Sequence, residues 1–174
     1  MPGFKAFKER IIVFLGGNIA GYRLKHFVIW HTENPRAFKY INKHILPVYY
    51  RSNKMSWMTQ ILFQRTLRNY YAREMEKYCL ENYTTFKILL IVGNAPRHPP
   101  FIGDTYPDIK VVFLTPNVTS LVQPMNQGVT AALKAYFLRK KTLMQFWKNY
   151  SVYDCIKNLA WAWDYVIMDC INDI

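Results

Sequence analysis

The chain has 174 residues, 51% hydrophobic and 17% aromatic, a length that suits one domain and a composition that excludes a solvated disordered polymer. Lys and Arg number 23 against 11 Asp and Glu, for a net charge of +12, which points to a polyanionic partner, most simply nucleic acid. No stretch of roughly 18 apolar residues occurs, so a membrane-spanning helix is excluded. Cys79, Cys155 and Cys170 form no CxxC pair and read as reduced, buried thiols. His26, His31, His44 and His98 match no zinc-ligand spacing.

Lys5, Lys8 and Arg10 precede the apolar run Ile11–Leu15, but Glu9 interrupts the basic stretch and the run is short, so a secretory leader is not expected. Ile11–Leu15 and Leu24–Trp30 read as two strands joined through turn-forming residues 16–21, a hairpin. Glu33-Asn34-Pro35 marks a loop, and Leu46–Tyr50 is a short extended segment. From Thr59 to Leu80, apolar residues recur every three or four positions (Leu62, Phe63, Leu67, Tyr70, Tyr71, Met75, Tyr78, Cys79), with Thr59 placed to cap. Phe86–Val92 is an apolar run ended by Gly93, which predicts a buried, parallel strand, and Lys110–Leu114 predicts another. Beyond the polar loop Thr115–Gln123, Val129, Ala132, Leu133, Tyr136 and Phe137 give helical spacing, and Lys134, Arg139, Lys140 and Lys141 are expected on the opposite, basic face. A last helix opens at Ser151 with Asp154 in capping-box register and aligns Ile156, Leu159, Ala160, Trp163, Val166, Ile167 and Cys170. Residues 1–54 carry a net +8, whereas 151–174 carry −3, so this helix is expected to differ in role. The pattern predicts an α/β fold with a mixed sheet and flanking helices, residues 2–150 forming the main unit and 151–174 an acidic amphipathic continuation.

Two loops are dense in unusual residues: Val92-Gly93-Asn94-Ala95-Pro96-Arg97-His98-Pro99, and the stretch from Pro116 to Gly128 that reads PNVTSLVQPMNQG. They resemble, in the same order, the two signature segments of Tigger/pogo-type DDE transposases. Residues 2–10, Glu33–Phe38, Leu46–Tyr50 and Trp57–Thr59 resemble the same family in sequence order, so the likeness covers essentially the whole chain. It implies a ribonuclease-H-like sheet in which three carboxylates hold two divalent cations about 3.5–4 Å apart for phosphodiester transfer. Hard cations require anionic oxygen ligands. Here the position matching the second carboxylate is Gly93 and the position matching the third is Asn126, while the strand that would carry the first, central in such sheets, has no counterpart. Asp104 and Asp108, between the two later strands, and Glu33, after the hairpin, are not placed to substitute. The expectation is therefore a catalytically degenerate, nuclear domain, not an enzyme and without the ancestral Mg²⁺ site. Lys134, Arg139, Lys140, Lys141 and Arg97 are expected to contact DNA or RNA without sequence preference. Pro96, Pro99, Pro116 and Pro124 shape loops, and Asn126 is expected to serve as a helix cap. Two rival readings are a protein-interaction module using the C-terminal helix and exposed aromatics, and a translated relic. Unpaired strand edges also predict self-association or dependence on a protein partner.

Overall fold

A computed structural model describes residues 11–93, 106–114, 123, 125–145 and 150–166. The predicted hairpin is present: β1 (Ile12–Phe14) pairs antiparallel with β2 (Phe27–Trp30), Ile12 facing Ile29 and Phe14 facing Phe27. Its turn is local chemistry. The Asn18 side-chain oxygen accepts the Tyr22 N–H at 2.8 Å and its carbonyl accepts the Gly21 N–H at 3.1 Å, with Gly21 at φ 83°, a conformation glycine adopts freely.

β3 (Tyr49–Ser52) runs parallel to β2, Phe27 facing Tyr49 and Trp30 facing Ser52. The extended segment expected at Leu46–Tyr50 thus begins three residues later. A 3₁₀ turn at Lys43–Ile45, held by the Asn42 side chain accepting the His44 N–H at 3.0 Å, takes up the chain before it, and Leu46 and Val48 are buried beneath. β2 is the middle strand and is buried along its whole length. Phe27 and Ile29 point into one core with Phe63, Leu67, Tyr71 and Met75, while Val28 and Trp30 point into another with Phe38, Tyr50, Val152 and Ile156. The alternation follows from the period of two along a strand.

The long helix predicted from Thr59 is divided into α1 (Gln60–Thr66) and α2 (Ala72–Glu81) by a π turn at Leu67–Tyr71. Thr59 caps it as expected, accepting the Leu62 N–H at 3.3 Å. The wider turn brings Leu67, Tyr70 and Tyr71 onto the sheet side together, Tyr70 at 4.4 Å from the Tyr49 ring and Tyr71 at 5.7 Å from Phe14. Glu74 ties helix to sheet by accepting the Lys25 N–H at 3.0 Å and the Tyr49 hydroxyl at 2.5 Å. Burial, then Glu74, pushes the Tyr49 pKa well up.

β4 (Ile88–Val92) and β5 (Ile109–Phe113) form the predicted parallel pair, Ile88 facing Ile109 and Val92 facing Phe113. The burial expected of β4 holds on one face only. Val92 and Ile109 join the core under α1 and α2, but Leu89 is 61% and Ile91 52% exposed, next to Val112 at 38%. Among the described residues the strands form two sheets, three-stranded β1-β2-β3 and two-stranded β4-β5, so β1 and β4 each pair on one side.

A π turn at Met125–Val129 leads into α3 (Thr130–Gln145), and α4 (Val152–Tyr165) follows. The helical path begins at Met125, which puts Asn126 in the first turn rather than at the expected cap. α4 opens with the predicted capping box, the Ser151 hydroxyl accepting the Asp154 N–H at 3.3 Å and Asp154 accepting the Ser151 N–H at 3.0 Å. Burial would raise the Asp154 pKa, but hydrogen bonds from Ser151 lower it on balance. Val152, Ile156 and Ala160 cover the three-stranded sheet, while Ala162, Trp163 and Val166 pack on Val129 and Leu133 of the preceding helical segment. The described part of this helix thus turns its apolar stripe onto its own domain, and Ile167 and Cys170 lie outside the described residues.

Candidate nucleic-acid interface

The four cations expected on one face of α3 take different settings. Lys134 and Arg139 are exposed, whereas Lys140 and Lys141 are half-buried. Lys134 and Lys141 are seven residues apart, almost two turns, and share a flank; Arg139 falls on the opposite flank. Lys140 faces α4, its Nζ 4.1 Å from the Trp161 ring. Lys141 lies close enough to Cys155 for its charge to favour the thiolate, yet burial, the larger influence, still pushes that thiol up. The expected face is thus two cationic flanks around a helix packed on α4. Arg97 lies outside the described residues.

A second basic group was not singled out from the sequence. Arg36 and Lys39 are exposed on the turn at Arg36–Phe38, and Tyr40 beside them is 88% exposed, with the Lys39 Nζ 5.3 Å from its ring. Lys43 donates to the Asn34 side-chain oxygen at 2.7 Å. Phe38 anchors the turn, its ring 4.9 Å from Tyr50 and 6.3 Å from Tyr153 of α4. An exposed ring beside exposed cations is the pairing that accepts an unstacked base and its phosphate. The signal was legible as Arg36, Lys39, Lys43 and His44 within nine residues lacking an acid. Arg65, Arg68 and Arg73 add exposed cations on the outer side of α1 and α2.

One of the two positions matched to family carboxylates, and the neighbour of the other, border the same space. Gly93, at the end of β4, and Met125, just before Asn126, line one cavity of about 540 Å³ whose other walls include Val13 and Leu15 beside β1, Leu133 and Phe137 of α3, and Leu159 of α4. Lys134 is the charged residue of that lining. The Asn126 side chain lies outside the described residues, as does Asp104. Asp108 sits in the turn before β5, its carbonyl accepting the Ile88 N–H at 2.8 Å, and Glu33 is exposed after β2. Gly21 is the glycine with positive φ among the described residues, so Gly93 has an ordinary backbone. No helix of the described residues is long and apolar enough to cross a membrane.

Comparison with known proteins gives the family context of the chain. The family profile described as DDE superfamily endonuclease matches residues 8–174. Tigger transposable element-derived protein 7 of Homo sapiens is 33% identical over 149 residues, covering 81% of this chain and 27% of its own length. Jerky protein homolog of Homo sapiens is 29% identical over 95% of this chain and 30% of its own length. ARS-binding protein 1 of Schizosaccharomyces pombe is 28% identical over 79% of this chain and 26% of its own. The chain therefore spans under a third of the length of these relatives. No solved structure matches it significantly.

Proposed function

Since the chain belongs to the DDE superfamily endonuclease family, we propose that it is a transposon-derived, catalytically inactive domain that binds DNA or RNA weakly and without sequence preference, in the nucleus. The observation that carries this reading is the contrast between a cationic exterior and a family site without acids. Paired divalent cations do not fit the residues here: Gly93 offers no side chain, Asn126 at best a neutral amide, and the cavity lining brings the cation Lys134 and no carboxylate. Two sheets whose single-sided strands β1 and β4 meet at that cavity also favour a ribonuclease-H-like sheet lacking its central strand. The name of the fission-yeast relative, a protein that binds an ARS, supports nucleic acid as the partner class.

Phosphate contact would come from Lys134, Arg139, Lys141, Arg36 and Lys39, with Tyr40 available to stack. Their spread over several elements favours diffuse electrostatic attraction over base readout. If about four phosphates are neutralised, raising salt from 50 to 200 mM weakens binding roughly a hundredfold. Retention of a labelled duplex on the protein across that range is the test, run with transposon-end and scrambled sequences. Equal, steeply salt-dependent retention is expected; salt-indifferent binding or strong preference for one duplex would sink the proposal. The apolar outer face of β4 and β5, with Leu89, Ile91 and Val112, favours a protein partner as a second function of the same domain.

A further inference from the structure

We infer, resting on the nucleic-acid reading of this domain, that the outer stripe of α4 with the adjoining flank of α3 is a stacking track for single-stranded nucleic acid. Tyr153, Lys157, Trp161 and Tyr165 recur every four positions of α4, so they line one stripe about 18 Å long that sets a cation between rings. Lys157 is exposed, its Nζ 5.3 Å from the Tyr153 ring. At the far end the Trp161 and Tyr165 rings lie 4.3 Å apart, and Tyr136 of α3 closes the group at 6.5 Å from Trp161 and 6.0 Å from Tyr165. Tyr165 is 50% exposed, and Trp161 and Tyr136 are half-buried. Rings clustered and left partly open offer π faces to a base, and stacking of that kind tolerates any base.

Cations border these rings, where the phosphates of a stacked strand would run. Lys140 and Arg139 follow Tyr136 by one turn of α3, the Lys140 Nζ 4.1 Å from the Trp161 ring and Arg139 exposed. A cationic ligand would compete with Lys140 for that ring and meet charge of its own sign, so the cluster suits an anion that carries a ring. At the other end Tyr153 lies 6.3 Å from Phe38, which leads the stripe toward the exposed Lys39 and Tyr40. The acids of the described part of α4 are engaged elsewhere. Asp154 accepts the Ser151 N–H and hydroxyl at 3.0 and 2.6 Å, and Asp164 borders a hollow with Arg23, Lys25 and Lys77. A duplex keeps its bases stacked inside and uses the cations alone, whereas an unpaired strand uses cations and rings together.

The probe is a fluorescein-labelled oligothymidylate of about 12 nucleotides, within the span such surfaces accept, titrated against the whole chain beside a duplex of equal length and followed by anisotropy. The single strand should bind at least about tenfold tighter than the duplex, and Tyr165→Ala should remove about tenfold of that affinity. Duplex affinity should stay within about twofold in the same variant, because tyrosine contributes no charge. Tyr165→Phe keeps the ring and should keep single-strand affinity. The oligonucleotide should also quench tryptophan emission, and Trp161→Phe should abolish most of that quench. Equal affinity for the two forms, an equal loss for both in Tyr165→Ala, a Phe variant as weak as the Ala variant, or an undiminished quench in Trp161→Phe would each overturn the proposal. Retention of neither form would refute nucleic-acid binding itself and the track with it, whereas duplex retention without a gain for the single strand would refute the track alone.

Discussion

Arg23 is the most informative single residue to remove. Its Nη1 donates to the carbonyls of Trp163, Asp164 and Val166 at 2.8, 2.9 and 2.8 Å, closing the C-terminal end of α4 from a position four residues before β2. A helix leaves its last four carbonyls without intrahelical partners. A hydrogen bond from a charged donor contributes about 1.5–3 kcal/mol, and a partly buried cation at a helix C-terminus up to about 2 kcal/mol. Trp163 and Val166 are buried, 4% and 0% exposed, so water cannot readily replace the guanidinium. The two contributions overlap, and Arg23→Ala should cost about 3 kcal/mol, which for a chain of this length lowers Tm by roughly 6–12 °C. Arg23→Lys keeps the charge but not the fork, and should recover about half. Urea midpoints at low protein concentration give the global change, and amide exchange across α4 shows whether the last turn opens first. A shift of Arg23→Ala below about 0.5 kcal/mol, or faster exchange spread evenly over the molecule, would refute the assignment of Arg23 as the clasp of α4.

His26 is 3% exposed and its Nε2 has no partner among the described residues; burial, followed by the charge of Lys25, lowers its pKa to about 4. The unfolded chain, titrating near 6.5, then binds more protons than the folded one between about pH 4 and 6.5. Stability is complete above that window and falls as the pH drops through it, by at most about 3 kcal/mol. Urea midpoints at pH 7 and 4.5 should converge in His26→Leu, and an undiminished acid loss in that variant would contradict the cause. Tyr83 holds a left-handed φ of 55° in the turn that ends α2, where Thr84 N–H donates to the Cys79 carbonyl at 2.9 Å, and its side chain is 99% exposed. Tyr83→Gly should therefore stabilise by about 0.5–1 kcal/mol, relief of the left-handed strain exceeding the added unfolded-state entropy; a lower Tm would count against it. The double variant Gly93→Asp with Asn126→Asp should remain without Mg²⁺- or Mn²⁺-dependent cleavage of supercoiled or pre-nicked DNA, because two ligands do not enforce paired-metal geometry. Cleavage above the unmutated protein would reveal a third acid.

What the residues determine alone is local. Thr59 and Ser151 with Asp154 cap their helices through bonds three residues long, Asn18 and Gly21 close the hairpin, and the run at 88–92 becomes a strand because its composition suits no other element of that length. The order of motifs was equally readable, and the family profile spans residues 8–174. Tertiary packing decided the rest. Tyr70 and Tyr71 face the sheet together only because a π turn interrupts the helix, and the ring of Tyr49 that receives them lies in another element. Lys140 reads as solvated until Trp161 is brought beneath it, and Arg23 reads as one more surface cation until the end of α4, 140 residues away, arrives over it. Leu89 and Ile91 have the sequence of a buried strand, yet exposure depends on whether another element covers that face. Periodicity and capping act within four residues and are therefore written in the chain. Coverage, pairing across sheet edges and the partners of long cationic side chains depend on distant segments meeting, which no local pattern encodes.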